Sequence, residues 1–199
     1  EVANYFKKKY QFIKIIKNKT NLGVGISRNK ALKMASGEFL IFLDSDDELF
    51  DNSLTGLSRA IKNKKNADLI VLKHKKTTYP QTNIKLIQDL NNLNYSPRLF
   101  IHYLLKSKLP FADCWFFCVK NNLIRKNNIM FPPSRFGESE FFVLQVLLKI
   151  KSFSCNKSFF YKKNDRLNSL NSSVDLNATK SVIINLIKKT FITAKTFNF

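Results

Sequence analysis

Three carboxylates, Asp44, Asp46 and Asp47, close an apolar run that begins at Phe39. Acids this close repel one another, so they need either a cation among them or water around them. Hard cations such as Mg²⁺ and Mn²⁺ take oxygen ligands, commonly one or two carboxylates completed by substrate phosphates. The cluster therefore reads in two ways: a station for a metal and a phosphate, or a solvated acidic turn capping the helix that starts near residue 52. Other chemistry is poorly provided for. Cys114, Cys118 and Cys155 form no C-x-x-C pair and lie far in sequence from His74 and His102, so a zinc site is not indicated. They read as free thiols of a reducing compartment. Gly23 and Gly25 begin a G-x-G-x-x-G pattern, but its third glycine is replaced by Arg28, which argues against a dinucleotide fingerprint.

The elements that must carry the carboxylates alternate. An amphipathic helix ends near Tyr10, and residues 11–16 alternate like a strand. Residues 27–35 predict a helix with Ser27 as N-cap, stopped around Gly37. The run from Phe39 to Asp44 predicts a strand of a parallel sheet, buried on both faces. Residues 52–64 predict a helix and 67–75 a strand. This β-α-β-α-β order is the signature of an α/β fold. In an open sheet of that kind, ligands bind beyond the carboxyl ends of the strands, which is where Asp44 to Asp47 fall. Further on, helices are expected at 97–108, from Asn121, at 139–151 and at 175–197, and strands at 114–120 and 157–163.

Composition sets the bounds. With 199 residues and 44% hydrophobic content, the chain can bury a core of its own. Its 19 Phe supply bulk, and only 5 Gly and 5 Pro exclude a low-complexity chain. Lys and Arg number 34 against 14 Asp and Glu, a net charge of +20. That excess favours anionic partners, or simply reflects Lys as the default surface residue, since the Lys are spread along the chain. No recognition motif supports nucleic acid. No signal peptide is visible, and no run approaches the roughly 18 apolar residues of a membrane helix.

The stretch NLGVGISRNKALKMASGEFLIFLDSDDEL resembles the central motif of family-2 glycosyltransferases of the GT-A fold. The matching residues are Asn21, Gly23, Ser27, Arg28, Asn29, Ala35, Gly37, Glu38, Phe39, Asp44, Asp46 and Asp47. The resemblance implies a mixed α/β sheet flanked by helices that binds a nucleotide-diphospho-sugar, a UDP-linked donor being the expectation. It implies that Arg28 and Asn29 orient the nucleotide and nearby loops, and that Asp44 and Ser45 lie at the nucleotide-sugar. Asp46, with Asp47 behind it, would bind Mn²⁺ or Mg²⁺ against the diphosphate.

The family's catalytic base sits in a Glu-Asp pair at a helix start. The matching stretch here is FGESEFF, with Glu138 at the Glu position and Ser139 where the Asp stands. A serine hydroxyl is no base near neutral pH, so the resemblance leaves Glu138, then Glu140, for that work. Both also suit the first turn of a helix, where acids complement the dipole. Trp115 reads either as an acceptor platform or as a core residue. Lys163, Arg166 and Ser169 read either as a basic surface loop or as groups closing over the diphosphate.

The resemblance runs from about residue 5 to 173, without the strands that open family members. The expected organisation is the remainder of the nucleotide-sugar half (1–110), the acceptor half (111–173) and a C-terminal helix (174–199). The expected activity is inverting, metal-dependent transfer to a glycan or lipid-linked glycan of surface polysaccharide or lipooligosaccharide. The expected place is the cytoplasm, in peripheral contact with an anionic membrane face. A catalytically inactive module that binds sugar nucleotide or glycan is the rival expectation.

Overall fold

The computed structural model describes residues 1–64, 66–76, 113–133 and 137–164. The helices expected at 97–108 and 175–197, and the candidates Arg166 and Ser169, lie outside them.

The centre is strand β3 (Leu69–Lys76), whose Leu69, Ile70, Val71 and Leu72 are wholly buried. Such an unbroken apolar run suits a strand covered on both faces. It pairs antiparallel with β4 (Phe117–Lys120) on one side and parallel with β5 (Phe153–Lys163) on the other. Two short strands complete the sheet, β1 (Phe39–Leu40) beside β4 and β2 (Glu48–Leu49) beside β5, both antiparallel. The order is β1-β4-β3-β5-β2, so the mixed sheet carries the acidic turn between its two outermost described strands.

Five helices accompany it among the described residues: α1 (Val2–Lys9), α2 (Val24–Met34), α3 (Ser53–Asn63), α4 (Asn121–Lys126) and α5 (Glu138–Leu147). Helix α3 packs on β5, and α5 packs on a 3₁₀ turn at Cys114–Phe116. The aromatic content concentrates where these layers meet. Phe131 and Phe142 stack with centroids 4.1 Å apart, and Phe42 sets its edge against both at 5.4 Å.

Several expectations change. Residues 11–16 enter no ladder, because a strand needs a hydrogen-bonding neighbour and none of the described strands runs beside them. Helix α2 begins earlier than expected, with Gly23 as N-cap. Ser27 lies inside the first turn, where its hydroxyl donates to the Gly23 carbonyl at 2.8 Å. The helix ends at Met34, ahead of Gly37. The Phe39–Asp44 run forms only two residues of strand, and its neighbour β4 is antiparallel rather than parallel. Residues 114–116 wind into the 3₁₀ turn before the strand starts at Phe117. Helix α5 starts at Glu138 and stops at Leu147, and β5 starts at Phe153 rather than 157.

Side-chain amides fasten the layers at long range. Asn121 donates to the carbonyls of Ala35 and Gly37 at 3.2 and 2.7 Å, and Arg125 donates to Ala35 at 2.6 Å. Asn29 donates to the Phe131 carbonyl and accepts from the Phe131 N–H, both at 2.8 Å. Gly25 completes this seam: a Cβ there would lie 2.9 Å from the Pro132 carbonyl oxygen, so only glycine lets α2 approach so closely. Truncating Phe142 to Ala removes the ring that joins Phe42 to Phe131 and should cost about 3–5 kcal/mol in urea unfolding. A loss below about 1 kcal/mol would mean that α5 is not packed through this ring.

Candidate active site

The site is assembled by Arg28, from the first turns of α2. Its guanidinium donates to Asp44 Oδ1 at 2.7 Å on one side. On the other it donates to Ser139 Oγ at 3.1 Å, 111 residues away, and lies 3.5 Å from Glu138 Oε1. The side chains of Arg28 and Glu138 keep only 14% and 15% of their exposure, so these contacts are poorly screened by water. Phe131 supports the group from beneath, 5.4 Å from ring centroid to guanidinium carbon. The charge partners outweigh the opposing effect of burial and hold the Arg28 pKa above its ordinary value.

The acidic turn is closed by the Asp47 N–H donating to the Asp44 carbonyl at 3.1 Å. Its three carboxylates have different surroundings. Asp44 faces Arg28. Asp46 stands half-exposed at the turn, with Ser45 exposed beside it. Asp47 is buried: its side chain has no exposed surface, Tyr161 donates to Oδ2 at 2.6 Å, the Asn164 N–H donates to Oδ1 at 2.9 Å, and the Lys163 ammonium lies 3.4 Å from Oδ2. Both Asp47 oxygens, expected to face a cation, are thus engaged by protein donors in this structure. Lys163, read from the sequence either as a surface-loop residue or as a group closing over the diphosphate, lies against Asp47. Among the described residues no three His, Cys, Asp or Glu gather into a metal cage. Asp46 nevertheless supplies a hard oxygen donor that is half-exposed, a donor type that fits a cation completed mainly by phosphate oxygens.

Trp115 takes the core position, the second of its two readings. It is 3% exposed, with Phe116 and Tyr161 stacked on it at 4.2 and 4.6 Å, so no face remains open to a sugar as a platform. Asn29 spends its amide on the Phe131 main chain and so acts on the loop before α5 rather than reaching outward.

Helix α5 opens at Gly137, whose φ of 74° is the left-handed backbone that glycine adopts freely. Ser139 is buried, accepts from Arg28 and donates to Cys114 Sγ at 3.7 Å. Burial pushes the Cys114 thiol up to about 12, so it is a neutral partner. Glu140 is pushed up to about 7, chiefly by burial, with Asp113 and Glu138 adding to the shift and Arg28 opposing it. Asp113 is pushed up to about 6 by burial and by the charges of Asp44 and Glu138, against Lys163 and Arg28. Sequence reasoning missed Asp113: nothing in its spacing marks it, and only the 3₁₀ turn brings it beside α5. Tyr161 and Asn164 were missed because Tyr161 follows two Phe and reads as core.

The mixed sheet flanked by helices is a GT-A glycosyltransferase fold. The S. aureus TarS 1-349 structure in complex with UDP-GlcNAc shares this fold, with a TM-score of 0.66 and 22% identity over 88% of this chain and 50% of that one. The chain belongs to glycosyl transferase family 2, whose family model matches residues 1–129. It is 29% identical to a cholesterol galactosyltransferase of Borreliella burgdorferi, over 94% of this chain and 54% of that protein. It is 28% identical to the poly(ribitol-phosphate) beta-N-acetylglucosaminyltransferase TarP of Staphylococcus aureus, over 91% of this chain and 53% of that protein. The chain thus spans about half the length of these relatives. No helix among the described residues is long and apolar enough to cross a membrane.

The Glu140 shift carries a sign. A carboxyl raised from 4.5 to about 7 on folding holds its proton more tightly in the native state. Its contribution to stability is therefore full below about pH 4.5 and is lost as pH climbs through 7. The melting temperature of the unaltered protein should fall relative to that of Glu140→Gln between these limits. A gap that stays constant with pH would show that Glu140 titrates normally.

Proposed function

We propose that this chain carries the donor site and the catalytic base of an inverting glycosyltransferase that uses a nucleotide-diphospho-sugar, UDP-linked, and a hydroxyl of a glycan or lipid-linked glycan. The observation that carries the reading is the Arg28 bridge, which holds the acidic turn against the start of α5. The TarS neighbour was crystallised with UDP-GlcNAc, which supports the donor class. The names of the relatives, a cholesterol galactosyltransferase and a poly(ribitol-phosphate) transferase, support a hydroxyl acceptor on a lipid or a polymer. The net charge of +20 supports work at the cytoplasmic face of an anionic membrane or on a phosphate-rich acceptor.

In this reading Asp46 holds Mn²⁺ or Mg²⁺, and Asp44 and Ser45 line the nucleotide-sugar. A bound divalent cation supplies positive charge to the diphosphate leaving group. Arg28 keeps Asp44 oriented toward the donor. The acceptor hydroxyl attacks the anomeric carbon in line, and a carboxylate takes its proton as the bond to the diphosphate breaks. Glu140 suits that task, because a base works best with a pKa near the operating pH and its own is about 7. Glu138 is committed to Arg28 and positions it. A second reading, an inactive module that binds sugar nucleotide or glycan, is favoured by Ser139, whose hydroxyl occupies the family's Asp position locked between Arg28 and Cys114.

The test is nucleoside-diphosphate release from UDP-, GDP- and TDP-sugars, with Mn²⁺ or chelator. Metal-dependent release from one donor is expected, abolished in Asp46→Ala. Glu140→Gln should lower kcat by about 10²–10⁴-fold with KM for the donor little changed. Full activity in Asp46→Ala would overturn the metal assignment. Donor binding without release, with Ser139→Asp gaining transfer, would establish the inactive reading.

A further inference from the structure

The proposed donor site depends on how the acidic turn is held, and the hold comes from a part of the chain more than a hundred residues later. The hydroxyl of Tyr161, near the end of β5, touches both ends of the turn. It donates its one proton to Asp47 Oδ2 at 2.6 Å and accepts the Asp44 N–H at 3.2 Å. Burial, and donation to Asp47, hold its pKa above the ordinary phenol value, so the proton needed for the first bond stays in place. Asn164 adds a second clamp. Its N–H donates to Asp47 Oδ1 at 2.9 Å, and its side-chain amide donates to the Asp46 carbonyl and to Glu48 Oε1, both at 3.0 Å. The pairing of β2 with β5, Leu49 opposite Tyr161 and Glu48 opposite Lys162, fixes the register of the two clamps.

We infer that Tyr161, seconded by Asn164, is a positioning residue for the donor site: it latches the Asp44–Asp47 turn so that Asp46 and Asp44 face the donor in a fixed geometry. Asp47 then has no ligand role of its own and serves as the internal anchor that the latch grips. The same ring stacks on Trp115, which follows Asp113 by two residues, so the latch also ties the acidic turn to the 3₁₀ turn on the acceptor side. A site whose supporting contacts are loosened binds and reacts less well even when every contacting residue is present.

This inference rests on the donor-site reading, and the experiment separates the two. Titration calorimetry would measure UDP binding in the presence of Mn²⁺ to the intact protein and to Tyr161→Phe, Asn164→Ala and Phe160→Leu, with melting temperatures alongside. Tyr161→Phe keeps the ring and its stack and removes only the hydroxyl. Phe160 is buried in the same strand and its side chain takes no part in the clamp's hydrogen bonds, so Phe160→Leu reports lost stability alone. The expected result is UDP affinity weakened about tenfold or more in Tyr161→Phe and in Asn164→Ala, and unchanged in Phe160→Leu. Unaltered protein that binds no UDP with Mn²⁺ would overturn the donor reading and the latch together. Binding that is equal in the unaltered protein and both clamp variants would overturn the latch alone. Affinity lost in all three variants in step with melting temperature would reduce Tyr161 to a structural role and overturn the positioning role. Should Tyr161→Phe fail to fold, the Asn164→Ala result decides.

Discussion

One guanidinium, largely withdrawn from water, holds together two acidic stretches that would otherwise repel. Arg28 meets Asp44 on one side and Glu138 with Ser139 on the other. In bulk water such contacts are worth little, but at this degree of burial the charges are poorly screened and each depends on the others. The rest of the structure serves this contact. The Phe42–Phe131–Phe142 cluster sets the height of the loop under the guanidinium, Asn29 pins that loop to α2, and Gly25 lets α2 come close enough for the arginine to reach.

Electrostatics divide the molecule. The chain as a whole is strongly basic, yet Asp44, Asp46, Asp47, Asp113, Glu138 and Glu140 converge on one region. Their mutual repulsion is answered in three ways. Arg28 and Lys163 neutralise Asp44, Glu138 and Asp47 directly. Asp113 and Glu140 answer it by holding protons up to about 6 and about 7. Asp46 stands half-exposed on the turn, where water adds to the screening of its charge. Carboxyl groups with such different surroundings can play different roles in one reaction.

Two internal anchors give the site its shape. Asp47 and Ser139 both occupy positions where a reacting group was expected, and both are buried and hydrogen-bonded to neighbouring side chains. In each case the adjacent residue is less buried: Asp46 before Asp47, Glu140 after Ser139. Burial thus separates the groups that are held internally from those that stay accessible.

The amino-acid sequence by itself determined the family resemblance and most of the alternation of helix and strand from Ser27 onward, and it singled out Arg28, Asp44, Asp46, Glu138 and Glu140 as candidates. These are legible because hydrophobic period and motif order are local properties. Tertiary structure decided what no local pattern carries. It turned the Phe39–Asp44 run into a two-residue antiparallel edge, because pairing depends on which strand arrives beside it. It buried Trp115 under Tyr161, drew Asp113 into the site, and gave Asp47 to Tyr161 and Asn164 rather than to solvent. Whether a carboxylate meets a ligand or an internal donor depends on contacts between residues more than a hundred positions apart, and only the folded chain brings those together.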